Sequence, residues 1–257
     1  MVELLNSEMN CLIPLIREKQ DVELWAVVEG KMLGKAWVDN KKNPLTALVL
    51  IADFCFLLGL NENEGNEVCI KKLLEKFKGK IFVPYSNYWN LFIEKHFSNN
   101  HKKYIRYAIK REQDVFDRYK LKNFIDIVEH EFFIEKIDQN NYNKVLEDEF
   151  MADCCSNFSS LEDFLNNGIG YIIIHENEII SGASSYSYCN GAISITIGTK
   201  REYRKKGLAL ACASKVILEC LDKNVYPKWD ASNLESVTLA EKLGYHFDKE
   251  YEVYSIL

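Results

Sequence analysis

The sequence lacks the charge of a general nucleic-acid binder. Its 257 residues carry a net charge of −6, and basic residues are concentrated only in the short segment 201–206. Because the phosphate backbone of a nucleic acid requires an extended positive surface, that class of function is disfavoured. A local basic cluster is better suited to a small anionic ligand.

Long apolar runs are also lacking. The longest, residues 45–60, contains Asp53 and is shorter than the roughly 20 apolar residues that a membrane-spanning helix needs. The N-terminal segment MVELLNSEMNCLIPLI has neither the basic start nor the continuous apolar core of a signal peptide. These absences predict a cytoplasmic protein that does not act at a membrane.

The cysteines lack CxxC spacing. They stand at positions 11, 55, 69, 154, 155, 189, 212 and 220, several of them within apolar runs. We therefore predict reduced core thiols and no metal site. A GxxxxGK phosphate loop is missing too, because Lys206 and Gly207 are followed by Leu208 and not by Ser or Thr. A nucleotide-binding protein is disfavoured for that reason.

The most informative stretch that is present runs from Gly191 to Glu219. Residues 192–198 alternate apolar and polar side chains, as a strand does, and residues 208–221 carry apolar side chains at helical spacing. The segment YRKKG (203–207) between them is typical of a tight basic loop. Unpaired N–H groups at a helix start lie at the positive end of the helix dipole, and Gly207 lets the main chain approach an anion. The order strand, basic loop, helix predicts a diphosphate site.

The spacing Arg204-x-x-Gly207-x-Ala209 resembles the acyl-CoA pyrophosphate loop of the GNAT superfamily of N-acyltransferases, in which Gln or Arg precedes two residues, Gly, one residue and Gly or Ala. Downstream, WDASNLESVTLAEKLGY resembles the second cofactor segment of that superfamily, Asn-x-x-Ser/Ala before a helix that ends in Leu-Gly-Phe/Tyr. Basic residues before a glycine also begin ordinary exposed helices. The two segments together, after an apolar hairpin, favour the GNAT interpretation.

The resemblance implies a set of contacts with acetyl-CoA. Main-chain amides of the loop would hold the diphosphate, the strand would pair with the pantetheine arm, and the downstream Asn and Ser would lie beside that arm. The implied residues are Ile197, Gly198, Thr199, Arg204, Lys205, Lys206, Gly207, Leu208, Ala209, Asn233 and Ser236. An alternative stays open for the last two, because Asn is a favoured N-cap residue and the Ser falls in the first helical turn.

The catalytic acid and base are not assigned by the sequence. Acetyl transfer needs a deprotonated amine and stabilisation of the oxyanion and the departing thiolate. Many GNAT enzymes have a Glu on the strand before the loop and a Tyr seven residues after the Asn, but here the strand reads ISIT (193–196) and the Tyr position is Ala240. The remaining candidates, besides water alone, are Tyr186, Tyr188, Tyr245, His175, Glu176 and Asp230. The adjacent Cys154 and Cys155 have no partnered His, so a nucleophilic thiol is disfavoured.

Periodicity and turn signals predict an α/β chain. In the first part we predict helices over residues 1–20, 68–77 and 89–97, strands over residues 24–28, 35–38, 80–83 and 104–110, and a polar loop over residues 61–65. Residues 45–56 are predicted to supply another strand, and a short helix stays open as an addition to it. In the second part we predict strands over residues 132–137, 171–174, 179–188, 192–198, 228–231 and 251–256, and helices over residues 160–166, 208–221 and 234–243.

The second part has the element order of the GNAT fold, a mixed central sheet flanked by helices. The resemblance therefore implies a GNAT acetyltransferase domain over residues 126–257. We expect an N-terminal α/β domain over residues 1–125, whose own element order is compatible with a diverged GNAT-like fold. No Pro/Gly linker fixes the boundary.

A closer resemblance spans nearly the whole chain. PKWDASN, SVTLAEKLGY, FDRYKL and GKAWVDNKKNPLTAL are similar to segments of the GNAT subgroup that includes the zwittermicin A resistance acetyltransferase. The resemblance implies an acetyl-CoA-dependent N-acetyltransferase acting on a primary amine of a small molecule, with antibiotics among the candidate acceptors. A homodimer is a separate expectation. The alternative is a non-catalytic acyl-CoA-binding or regulatory protein, which the missing Glu and Tyr favour.

Overall fold

The computed structural model describes residues 1–60, 66–129 and 131–257, so the polar loop predicted over residues 61–65 lies outside the described ranges. The chain divides into two compact units. Unit 1 comprises Met1–Arg106 and Glu250–Leu257, and unit 2 comprises Tyr107–Lys249. The expected boundary between residues 125 and 126 falls inside the helix Arg118–Glu129. The division at 106 and 249 falls within two strands, which is why no linker marks it in the sequence.

Unit 1 combines helices with one sheet. Its strands are β1 (Val2–Glu3), β2 (Lys35–Val38), β3 (Thr46–Ile51), β4 (Phe54–Gly59), β5 (Ile81–Pro84), the first part of β6 (His101–Ile109) and the end of the last strand, β13 (Phe247–Ile256). Its helices are α1 (Ile13–Ile16), α2 (Val22–Val28), α3 (Glu67–Lys76) and α4 (Asn87–His96). The sheet order in this unit is β1-β2-β3-β4-β5-β13-β6.

Strand β4 has a paired neighbour along both edges. It is antiparallel to β3, and its residues 54–57 are parallel to residues 81–84 of β5. A buried cluster that includes Leu57, Phe82, Trp89 and Tyr254 packs on this part of the sheet. At the centre of this sheet, β4 therefore has no open edge along residues 54–57.

Two predictions in unit 1 are wrong. Residues 24–28 form part of helix α2 and not a strand, because LWAVV is apolar throughout and carries no period that tells a strand from a buried helix. Residues 1–20 do not form one helix but β1, a 3₁₀ helix (Asn6–Leu12) and α1. Pro14 in the first turn of α1 has no N–H to donate, so it starts a new helix.

Unit 2 carries a second sheet. The strands of the second sheet are β7 (Ile134–Lys136), β8 (Gly170–His175), β9 (Glu178–Cys189), β10 (Ala192–Thr199) and β11 (Tyr226–Lys228). Unit 2 also contains β12 (Asp230–Ala231), the end of β6 and the first part of β13, which are not part of this sheet. Its helices are α5 (Arg118–Glu129), α6 (Tyr142–Glu147), α7 (Leu161–Asn167), α8 (Leu208–Asp222) and α9 (Leu234–Leu243). The second sheet has the order β11-β10-β9-β8-β7, and α8 packs on β8, β9 and α5.

The predicted strand over residues 228–231 is wrong in a way that matters for the site. β11 pairs in parallel with β10 only as far as Ser194, which lies opposite Lys228. After Trp229 the chain enters β12, which pairs with β6 instead, with Asp230 opposite Ala108. β10 continues to Thr199 without this neighbour, so the sheet opens beside the second half of β10.

The cysteines are free thiols, and Cys55, Cys154, Cys155, Cys212 and Cys220 are buried, which confirms the interpretation of these five as core residues. Over the ranges that the structure describes, we find no group of three or more His, Cys, Asp or Glu side chains able to hold a metal ion. Of the helices described above, none is long and apolar enough to cross a membrane.

Candidate functional site

The outer edge of β10 offers main-chain groups from residue 195 onward. Residues of an antiparallel strand alternately direct their N–H and C=O groups toward the neighbour and away from it. The hydrogen bond from the Lys200 N–H to the Ile180 carbonyl (2.8 Å) fixes this alternation. Ile195, Ile197 and Thr199 therefore direct their main-chain groups away from β9. In the described part of unit 2, no strand pairs with them on that side.

The burial of β10 changes where the sheet opens. Ala192 and Ile193 are 1% and 2% exposed, whereas every residue from Ile195 to Thr199 is half-buried. A register irregularity between Ser194 and Ile195 marks the transition. Such irregularities bend a strand and end its pairing, and they are frequent beside functional sites. The half-buried edge can accept an extended chain of amides as one more strand.

The loop after β10 leaves a row of N–H groups unpaired. Gly207 is the N-cap of α8 with φ 83, a left-handed conformation that favours glycine, and Lys205 has φ 64. The Gly207 carbonyl accepts the first helical hydrogen bond, from the Ala211 N–H at 3.0 Å. We find no acceptor among the described residues for the N–H groups of residues 205–210. Since these groups lie at the positive end of α8, they suit an anion.

Arg204 ties this loop to the strand before it. Its Nε donates a hydrogen bond to the Thr199 carbonyl at 3.2 Å, while its side chain stays exposed. Lys205 is exposed as well. Both cations therefore lie in the loop that carries the unpaired N–H groups. The predicted residues 197–199 lie at the end of β10, and the predicted residues 204–209 lie in the loop and at the start of α8.

Lys206 belongs to a cluster that the sequence did not predict. Its Nζ lies over the rings of Tyr203 and Phe132, 5.5 and 5.7 Å from their centroids. His175 contacts the same two rings edge to face, at 5.9 and 5.4 Å. Because these residues come from three separate segments, no local spacing could have pointed to the cluster. The rings of Tyr203 and Phe132 thus hold the ammonium group of Lys206 at the loop.

The two downstream residues of the predicted set lie at the start of helix α9, where Asn233 is the N-cap and Ser236 belongs to the first turn. The Asn233 Oδ1 atom accepts the Ser236 N–H at 2.8 Å, and the Ser236 Oγ atom accepts the Trp229 indole N–H at 3.1 Å. The capping alternative describes this geometry. A cofactor role for Asn233 and Ser236 stays a prediction.

Two of the candidate tyrosines have structural partners. The hydroxyl of the buried Tyr245 donates to the Pro227 carbonyl at 2.7 Å, and burial raises the pKa of Tyr245 well above its ordinary value. The Tyr188 hydroxyl donates to Asp163 at 2.8 Å, and burial together with this carboxylate raises the pKa of Tyr188 to about 12. Both hydroxyls are engaged in hydrogen bonds within the fold, which disfavours a role of Tyr188 or Tyr245 in proton transfer.

The other candidates differ in their position relative to the point where β11 leaves β10. Glu176, with φ 49, lies exposed in the β8–β9 turn next to His175. Tyr186 is the residue of β9 that the register shift leaves over, since Ser194 pairs with Ser187 and Ile195 with Ser185. Asp230 follows Trp229, where β12 separates from β11. Tyr186 and Asp230 are thus the candidates on strands at the point where the sheet opens.

The adjacent cysteines are unsuited to nucleophilic attack. Burial raises the pKa of the Cys154 thiol well above its ordinary value, and burial raises that of Cys155 to about 12. A thiolate is the reactive form of cysteine, so these thiols are inert near neutral pH. The expectation that they are core residues is confirmed by their burial.

Comparison with known proteins assigns the family. The model of the GNAT acetyltransferase family matches residues 13–254. The chain belongs to this family. It is similar over 98% of its length to 99% of a GCN5-related N-acetyltransferase-like protein from Streptococcus suis 89/1591, with 36% identity and a TM-score of 0.88. The mixed α/β GNAT fold predicted from the sequence is confirmed by these matches.

Two further relatives give partial information. The chain is 32% identical over 99 residues to the uncharacterized N-acetyltransferase YdfB of Bacillus subtilis (strain 168), and this match spans 38% of each protein. A tandem GNAT protein from the clavulanic acid biosynthesis pathway shares the fold, with a TM-score of 0.55 and 11% identity over 99% of this chain and 97% of that one. The zwittermicin-resistance subgroup stays a prediction.

The residues present fit the acyl donor that is typical of the GNAT family. Acetyl-CoA carries a diphosphate and an extended arm with two amides. The unpaired N–H groups of residues 205–210 match the diphosphate. The outward main-chain groups of Ile195 and Ile197 and the outward N–H group of Thr199 match the amides of the arm. The fit rests mainly on backbone atoms.

Proposed function

We propose that this protein transfers an acetyl group from acetyl-CoA to a primary amine of a small molecule, with antibiotics among the candidate acceptors. The observation that carries the proposal is the continuity of the open edge of β10 with the unpaired N–H groups at the start of α8. A diphosphate and an amide-bearing arm are neighbours in acetyl-CoA, just as these two features are neighbours in the chain.

The loop residues bind the anionic end of the donor in this proposal. The N–H groups of residues 205–210 have no acceptor among the described residues, so they can donate to two phosphate groups without breaking existing hydrogen bonds. Arg204 and Lys205 add positive charge at the same loop. Gly207 makes the approach of the phosphates to the main chain feasible, because its φ of 83 turns the chain into the helix.

The strand residues orient the rest of the donor. Ile197 supplies its outward N–H and carbonyl groups to the arm and Thr199 supplies its outward N–H group, and the half-buried edge shields these hydrogen bonds from water. Acetyl-CoA supplies an activated thioester when it is bound. An arm that follows β10 from the loop ends near Ile195, where we propose that Tyr186, Asp230 or water moves the amine proton.

The second candidate function is a non-catalytic acyl-CoA-binding protein of the same family. The favouring observation is that Ala240 stands where many GNAT enzymes have a Tyr, while the hydroxyls of Tyr188 and Tyr245 are engaged elsewhere. Such a protein would keep the donor site and lack a proton-transfer group.

A thiol-release assay separates the two candidates. The full chain is incubated with acetyl-CoA and, in turn, aminoglycosides, polyamines and amino acids, and acetylated products are identified by mass. We expect thiol release that depends on one class of amine. Binding of CoA with no turnover on any amine would favour the binding protein, and absence of CoA binding would contradict both.

Three finer expectations stay predictions. A homodimer is tested by sedimentation of the full chain, and a cytoplasmic location by cell fractionation. Protection of cells against an aminoglycoside or another amine antibiotic on expression of the chain tests the antibiotic acceptor.

We also propose that unit 1 is a diverged GNAT-like fold without a donor site of its own.

A further inference from the structure

Two glycines face each other near the end of β10 in the second sheet. Gly182 of β9 lies opposite Gly198 of β10. A Cβ atom on Gly198 would lie 2.9 Å from the Phe150 Cζ atom, and a Cβ atom on Gly182 would lie 2.7 Å from the Met151 Cε atom. Since glycine weakens the interior of a strand, its presence here has a packing reason. The missing side chains let Phe150 and Met151 rest directly on the strands.

These two side chains lie on the sheet face opposite α8. Side chains alternate along a strand, so those of Thr199 and Ser181 point to the other face from their glycine neighbours. The Thr199 and Ser181 hydroxyls hydrogen-bond to each other at 2.8 Å, and Ser181 also bonds the thiol of Cys212 on α8. Phe150 therefore approaches β10 from the face that α8 leaves uncovered.

The turn that carries Phe150 is held by hydrogen bonds to the side chain and the carbonyl of Asp148. The Asp148 Oδ1 atom accepts the N–H groups of Phe150 and Met151, each at 3.0 Å. The Asp148 carbonyl accepts the Ala152 N–H at 2.8 Å. Met151 is 3% exposed, but Phe150 stays 42% exposed. Core packing accounts for Met151, and it leaves unexplained why a large aromatic ring is fixed in place and half open to solvent.

We infer that the exposed part of the Phe150 ring is a binding surface for the pantoyl group of the acyl donor. This inference rests on the proposed function, because it requires the donor to lie along β10. Gly198 stands between Ile197 and Thr199, whose main-chain groups point to the open edge, and the Thr199 carbonyl is tied to Arg204 of the loop. The ring therefore lies at the loop end of the edge.

The chemistry of the donor matches this position. The pantoyl group directly follows the diphosphate and carries a geminal dimethyl group, which is the most apolar part of the arm. An aromatic ring beside the diphosphate loop would remove these methyl groups from water and shield the adjacent main-chain hydrogen bonds. Phe150 would then be a specificity residue for donors with this branched arm.

The test compares two ligands on the full chain by titration calorimetry: CoA, and adenosine 3′-phosphate 5′-diphosphate, which lacks the arm. We expect Phe150→Ala to weaken CoA binding about fivefold, the equivalent of losing a partly buried apolar contact. Binding of the fragment should stay unchanged. The matched control is Phe247→Ala, which removes a 37% exposed aromatic side chain of the same unit and should change neither affinity.

Phe150→Leu keeps an apolar side chain and should lose less CoA affinity than Phe150→Ala, and it carries the test if the alanine variant does not fold. Wild-type affinity of Phe150→Ala for CoA would overturn the inference, and so would an equal loss for both ligands, which indicates a disturbed loop. Failure of the wild-type chain to bind either ligand would instead refute the proposed function on which the inference rests.

Discussion

The two units share one succession of helices and strands and differ where a ligand would bind. Unit 1 has α1 and α2, then β2, β3 and β4, then α3, β5, α4 and β6. Unit 2 has α6 and α7, then β8, β9 and β10, then α8, β11, α9 and β13, with α5 before this succession and the short strand β12 between β11 and α9 as additions. In unit 1 the strand before the third helix, β4, is paired on both edges. In unit 2 the corresponding strand, β10, loses its outer neighbour after Ser194.

The segment that follows these strands differs in charge. After β4 the sequence reads LNENEGN (60–66), with two Glu and no basic residue, whereas after β10 it reads KREYRKK (200–206). One succession of elements thus includes a strand paired on both edges and followed by an acidic sequence in unit 1, and a strand with an open edge followed by a basic sequence in unit 2. We therefore expect the proposed donor site to depend on local strand pairing and charge, and not on the fold alone.

The largest expected effect comes from proline in the two corresponding strands. Leu57→Pro removes a hydrogen bond from β4, whichever neighbour the N–H faces, and should lower the free energy of unfolding by about 3 kcal/mol or more. Ile197→Pro removes an N–H that faces the open edge, so it should cost far less stability while it weakens CoA binding. Chemical denaturation and calorimetry measure both. Equal losses of stability would show that β10 is not open.

A second comparison uses two glycines with the same backbone conformation. Gly207 has φ 83 and Gly79, in unit 1, has φ 82, and valine is strained at either position. We expect Gly207→Val to weaken CoA binding about tenfold to a hundredfold, since strain of about 1–3 kcal/mol would displace the loop. Gly79→Val should lose similar stability and keep its affinity for CoA. Loss of affinity in the Gly79 variant would contradict the assignment of the site to unit 2.

A smaller effect is expected from a carboxylate that anchors α8. Glu219, with 13% of its side chain exposed, accepts hydrogen bonds from Lys136, Lys223 and Tyr171 at 2.7, 2.8 and 2.7 Å. Burial alone would raise the pKa of Glu219, but these three donors hold it below its ordinary value. Glu219→Gln should lower the free energy of unfolding by about 1–3 kcal/mol at neutral pH, as measured by denaturation.

The pH dependence of this effect follows from the direction of the shift. A carboxyl group with a depressed pKa stabilises the folded state above its unfolded pKa, and the stabilisation is lost as the pH falls through the folded value. The difference between Glu219→Gln and the wild type should therefore shrink at pH values below 4.5. The control in unit 1 is Glu94→Gln, whose side chain is 37% exposed beside Lys103 and should contribute about 0–1 kcal/mol. A larger cost for the Glu94 variant would reverse this ranking.

Elements with local signals were predicted well from the sequence. Helix α9 has the predicted bounds, because Asn233 caps its start and Gly244, with φ 113, ends it. The β8–β9 turn lies at Glu176 and Asn177 as predicted, where both residues have positive φ. The loop with Gly207 also has the predicted place between strand and helix. In each case residues close in sequence determine the local backbone.

Features that depend on distant residues were not predictable. Whether residues 24–28 form a helix or a strand depends on what buries them, and the division of residues 228–231 depends on β6, which pairs with β12. Phe150 gave no signal by itself, although two glycines in neighbouring strands could have suggested a close approach by another side chain. The sequence thus predicted the loop of the candidate site and missed the residues packed around it.

Hydrogen exchange with and without CoA shows whether the donor lies along β10 and the start of α8. On addition of CoA to the full chain, we expect the amides of residues 205–210 and those of Ile197 and Thr199 to gain protection, while the amides of β4 and α3 in unit 1 keep their exchange rates. Unchanged exchange over residues 205–210 under conditions where CoA binds, or protection confined to unit 1, would contradict this placement of the donor.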